Sequence, residues 1–82
     1  MQYLILCRSL TQAQQAALFL ERAGIRAVVT KAPRHLTQSG CGYALRVTRR
    51  AEQAVALLRE KKVPLGKIYQ QLADGSYQEA AL

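Results

Sequence analysis

Gly42-Tyr43-Ala44-Leu45-Arg46-Val47-Thr48 decides the fold. Tyr43, Leu45 and Val47 alternate with Ala44, Arg46 and Thr48, a period of two that predicts a strand with one apolar face. Arginine at position 46 settles which face is inside, because an unpaired cation turned into the core is costly. Tyr43, Leu45 and Val47 therefore point inward. Upstream, Ile25 to Lys31 repeats the pattern, with Ile25, Ala27 and Val29 on one side and Arg26, Val28 and Thr30 on the other. Pro33 closes that second strand. Between the two runs, Ala32 to Cys41 is rich in turn formers and reads as a loop.

The remaining elements follow outward from this pair. Tyr3 to Cys7 is a short apolar run, read as a buried first strand. Ser9-x-x-Gln12 and Thr11-x-x-Gln14 both fit a capping box, in which the hydroxyl and the glutamine side chain satisfy backbone donors at a helix start. Ala13, Ala16, Ala17, Leu20 and Ala23 then form a helical stripe, and Gly24 sits where a C-terminal cap glycine belongs. After the third strand, Thr48 reads as the cap of a second helix with Ala51, Ala54, Val55 and Leu58 inside. Arg59, Lys61 and Lys62 suit its C-terminal end. Pro64 and Gly66 mark a turn, and Lys67 to Gln70 reads as a fourth strand. Residues 71–82, through Asp74-Gly75, fit either a hairpin extension or a frayed end.

The order is βαββαβ, which predicts an α+β, ferredoxin-like sandwich: two helices on one face of a four-stranded antiparallel sheet. The 82 residues form one domain, residues 1–82. Half of them are apolar, as in a globular chain. So small a domain has little room for a deep cavity, and its chemistry belongs at an edge, a loop or an interface.

Twelve Lys and Arg against five Asp and Glu give a formal charge of +7. That balance suits anionic partners and also, more plainly, solubility. The two cysteines, Cys7 and Cys41, do not make a disulfide scaffold. Leu4-Ile5-Leu6-Cys7 lacks the charged leader and small residue of a lipoprotein cleavage site, and no stretch suits a membrane span, so a cytoplasmic protein with reduced thiols is expected.

In the predicted topology Cys7, Arg8, Arg34, His35 and Cys41 converge near the start of the first helix. A helix N-terminus, nearby cations and partial exposure all favour a thiolate. Gly40 and Gly42 flank Cys41 and give a partner room to approach. Arg34 offers a fork of donors to an anionic atom, and His35 can move a proton or add charge. The plain alternatives are a packed Cys41, a surface Arg34 and a solvated His35. For Cys7, inside an apolar strand, packing is the stronger reading.

Tyr3-Leu4-Ile5-Leu6, Ala23-Gly24-Ile25, Pro33-Arg34-x-Leu36 and Ser39-Gly40-Cys41-Gly42 together resemble the selenium/sulfur carrier-like family, from the N-terminus to about Tyr69. The resemblance implies a small cytoplasmic bacterial protein that holds a persulfide or selenyl sulfide on its loop cysteine. By motif match that cysteine is Cys41, with Pro33 and Arg34 as further loop residues and Ser39 beside them. It implies donor and acceptor proteins as partners, no cofactor, and a carrier rather than an enzyme. Arg49 and Arg50 depart from it, since acidic residues are expected at the start of the second helix.

Two other classes compete. The topology is also that of an RRM, and Gly42-Tyr43-Ala44 matches the start of its second motif. The match fails at Cys41, Leu45 and Arg46. Nonspecific RNA contact through Arg26, Arg46, Arg49 and Arg50 survives. The third class is a regulatory module or homodimer built on the open sheet face. A hydrolytic triad is not supported by one histidine and one aspartate far apart. Cys7, His35 and Cys41 supply only three metal ligands at no recognised spacing.

Overall fold

The structure is a computed structural model, and it describes residues 2–36 and 42–80. In chain order the elements are β1 (Gln2–Cys7), α1 (Leu10–Arg22), β2 (Ala27–Lys31), a 3-10 turn (Arg34–Leu36), β3 (Tyr43–Val47), α2 (Ala51–Glu60), β4 (Ile68–Gln71) and β5 (Tyr77–Glu79). The chain is thus α+β, with one antiparallel sheet in the order β2-β3-β1-β4-β5.

The sheet has five strands rather than the expected four. The tail is the reason. Asp74 accepts hydrogen bonds from the backbone N–H and hydroxyl of Ser76, at 3.0 and 2.6 Å. Gly75 takes a left-handed φ of 89°. This local chemistry reverses the chain and lays β5 along β4, with Gln71 opposite Tyr77 and Tyr69 opposite Glu79. The hairpin reading of the tail holds as far as Ala80.

β3 lies between β1 and β2 and runs against both, so β1 and β2 run in the same sense. The register aligns Lys31, Tyr43 and Cys7 in one row, and Ala27, Val47 and Tyr3 in another. One sheet face carries Ile5, Cys7, Leu45, Val47 and Ile68, which share a core with Ala13, Ala16 and Leu20 of α1 and Ala54, Val55 and Leu58 of α2. Both helices therefore cover the same face. Tyr43 packs against this core and Arg46 is exposed, as the strand alternation requires. Fully burying a Leu, Ile or Val side chain stabilises by about 1.5–3 kcal/mol, so this single layer of contacts dominates the stability of the domain. The other face carries Leu4, opposite Arg46 on one side and Tyr69 on the other.

The helix ends are explained by local chemistry. Ser9 caps α1, its side-chain oxygen accepting from the Gln12 N–H at 3.2 Å. At the far end Gly24 takes φ 79°, Ile25 N–H reaches the Leu20 carbonyl at 2.8 Å and Gly24 N–H reaches that of Glu21 at 3.0 Å. This is the Schellman arrangement, and it holds Ile25 before β2 begins at Ala27. α2 ends the same way without a glycine. Lys62 adopts φ 58°, and Val63 N–H bonds the Leu58 carbonyl at 2.9 Å.

The start of α2 differs from the expectation. The cap position is Arg50, not Thr48, in a left-handed conformation with no side-chain capping bond. β3 stays paired as far as Val47, so Thr48 lies two residues before the cap position, too early to serve the first helical N–H groups.

Candidate functional site

The register defines one end of the molecule. β1 finishes there at Cys7, β2 at Lys31, and β3 begins there at Tyr43. β4 begins at the same end, because Ile68 pairs with Ile5 and the Leu6 N–H bonds the Lys67 carbonyl at 2.9 Å. Gly66 is pressed against β1 at this point. A Cβ on it would meet the Leu6 carbonyl oxygen at 3.0 Å and the Leu6 Cβ at 3.1 Å, so the close approach needs glycine. α1 starts here too, immediately after Arg8 and Ser9.

The loop between β2 and β3 springs from this end. Its two feet are joined by the Ala32 N–H, which bonds the Gly42 carbonyl at 2.6 Å. Pro33 follows, and its carbonyl accepts from the Leu36 N–H at 3.0 Å, closing the 3-10 turn that contains Arg34 and His35. Arg34 is exposed. Gly42 does not use a positive φ, and a Cβ there would meet nothing within 4 Å. The space beside it is open. Ser39, Gly40 and Cys41 lie outside the described residues.

Of the residues singled out in the sequence, the fold therefore brings Cys7, Arg8, Pro33, Arg34, His35 and Gly42 to one end of the sheet. It adds two that sequence reading missed, Lys31 and Lys67, both exposed. The signal for Lys31 was the strand register, since it sits across from Tyr43, which in turn faces Cys7. Lys67 is within 3.9 Å of Glu79, an exposed pair that contributes little.

Cys7 is not a surface thiol. It is 4% exposed and belongs to the core, and its S–H donates to the Ile5 carbonyl at 3.6 Å. Burial penalises its thiolate and pushes its pKa up from 9.0 to about 11. At neutral pH it is a protonated, apolar-packed side chain. Among the described residues no group of three His, Cys, Asp or Glu is placed to hold a metal ion. Nor is any helix there long and apolar enough to cross a membrane.

A five-stranded antiparallel sheet backed by two helices, with the β2–β3 loop anchored at the end where the first helix starts, defines a class of small α+β domain. The chain belongs to the family described as Putative Se/S carrier protein-like, whose model matches residues 2–70. The match takes in β1 through most of β4 and the whole of the loop, and stops before β5. No curated protein and no solved structure matches the chain.

Proposed function

We propose that this protein carries sulfur or selenium on Cys41, held as a persulfide or selenyl sulfide. The observation that carries the proposal is the burial of Cys7. The sequence has two cysteines. A family concerned with sulfur or selenium carriage calls for a thiolate that a partner can reach, and Cys7 is neither ionised nor reachable. That leaves Cys41.

The surroundings support the choice. Open space beside Gly42 lets another protein approach the loop. Arg8, Lys31 and Arg34 are exposed at the same end of the sheet, and all three favour an anionic sulfur there. Arg34 holds the anionic atom, and His35 supplies or removes its proton. Pro33 and the Ala32–Gly42 bond set the direction of the loop. In loading, the Cys41 thiolate attacks the outer sulfur of a donor persulfide. The donor S–S bond breaks, a new S–S bond forms on Cys41, and the donor leaves as its thiolate. The exchange is redox-neutral and needs no cofactor. Unloading repeats it toward an acceptor thiol, and a selenium atom in the outer position follows the same path. The partners are then a donor and an acceptor protein, and the protein is a carrier rather than an enzyme.

The test uses a Cys7→Ala background and glutathione persulfide as donor. Mass spectrometry should find one added sulfur on Cys41. Alkylation of Cys41 should titrate below the free-thiol value of about 8.5. A folded protein that takes up no sulfur, or a thiol that reacts only above that pH, would remove Cys41 from the chemistry.

A further inference from the structure

Of the arginines left over from the carrier reading, Arg26, Arg46, Arg49 and Arg50 gather at the other end of the sheet. Arg46 lies opposite Val28 in the register, and Arg26 comes directly before β2, two residues ahead of Val28. Arg49 and Arg50 follow directly after β3 and lead into α2. Arg50 reaches back: its Nη1 lies 4.0 Å from where a Cβ on Gly24 would sit, two residues from Arg26. All four are exposed. Among the described residues none of them pairs with a carboxylate. Arg50 donates through Nε to Gln53, a neutral group, and Glu52 in the first turn of α2 makes no bridge to them.

Folding does not ask for this arrangement. Like charges at close spacing repel, and cations before a helix N-terminus oppose its dipole by about 0.3–1 kcal/mol each. The position of Arg50 near the last turn of α1 offsets part of this for one residue only. The choice of residue is informative as well. All four are arginine, whose planar fork matches phosphate in a way a lysine ammonium does not. Val28 is the one large apolar side chain exposed beside them, at 47%. No aromatic residue among those described is fully exposed. A protein interface would want a buried aromatic or apolar anchor at its centre, and base reading would want an exposed ring. A phosphate backbone wants neither.

We infer that the Arg26, Arg46, Arg49 and Arg50 corner binds the phosphate backbone of RNA, without reading its sequence. The corner lies toward the opposite end of the strands from the foot of the cysteine loop, about 10 Å away at Arg46 and about 17 Å at Arg26. Binding there leaves the loop open, and it does not depend on the carrier reading.

The test is fluorescence anisotropy with a labelled oligouridylate over a range of salt concentrations. With four phosphates neutralised, log K should fall against log salt with a slope of about −3. Arg26→Gln/Arg46→Gln should bring the slope to about −1.5. Lys31→Gln/Lys67→Gln removes the same charge from the other end and should leave the slope unchanged, as should Cys41→Ser. Arg26→Lys/Arg46→Lys keeps the charge and should bind more weakly than the unmodified protein at every salt concentration. Equal losses in the two double glutamine variants would overturn the assignment in favour of general basicity. Tighter binding of polyglutamate than of oligouridylate, lost with the same arginines, would overturn it in favour of an acidic protein. Absence of binding would overturn it outright.

Discussion

The two helices start at opposite ends of the sheet, and the chain treats the two starts differently. α1 follows Cys7 and Arg8, and Ser9 caps it as helix chemistry prefers. α2 follows β3, and its cap position is an arginine in a left-handed conformation with another arginine before it. Both helices bury comparable apolar faces in one core, so packing holds each in place. The first start is built for stability. The second gives up a side-chain cap and a relaxed backbone, sets two arginines ahead of a first turn in which Glu52 suits the dipole, and gains positive charge at the surface. A position that breaks local rules without a packing reason points to work done outside the fold.

Three measurements sharpen or break this contrast. The largest effect is expected at Cys7, the residue beneath the first start. Its folded pKa is raised, so the folded state keeps a proton that the unfolded chain has lost. Its contribution is present below pH 9 and is lost as pH rises from about 9 to about 11. The stability difference between the unmodified protein and Cys7→Ala should shrink by about 2 kcal/mol across that window in urea melts. A difference that stays flat would mean that Cys7 meets solvent, and the first start would lose its dry foundation.

Ser9→Ala should cost about 1 kcal/mol, and Thr48→Ala should cost only a few tenths. Comparable losses at the two sites would restore Thr48 as a cap and erase the contrast. Arg50→Gly should give a smaller change than Ser9→Ala and of opposite sign, a gain of about 0.5 kcal/mol in thermal melts, from relief of the left-handed backbone and of charge at the helix start. A loss there would make Arg50 a stabiliser, and the second start would then need no outside explanation.

Much of this fold is legible in the sequence because its signals are local. Alternation around Arg46 assigns both faces of β3, and Ser9 and Gly24 bracket α1, although the expected capping box closes on the Ser9 side alone, the buried Gln12 Oε1 having no partner among the described residues. The misreadings have one cause, which is that distant contacts overrode local preference. Thr48 is a good cap by composition, yet pairing of β3 through to Val47 moved the helix start past it. Tyr77–Glu79 is too short and too polar to be read as a strand, and becomes one only because the Asp74-Gly75-Ser76 turn delivers it to the open edge of β4. At the candidate site, the apolar setting of Cys7 was enough to read it as packed. Arg8, Pro33, Arg34 and Gly42 could be brought together from the topology alone. Lys31 and Lys67 needed the register, which depends on pairings that no single segment specifies.

The bond between Ala32 and Gly42 separates two histories. Below it, the inward side chains of the strands are answerable to the core, where the loss of a methylene is felt. Above it, the chain must return to its starting point, and doubling the length of such an excursion costs only about 0.6 kcal/mol in closure entropy. Lengthening of the chain between Ala32 and Gly42 is therefore cheap for the scaffold.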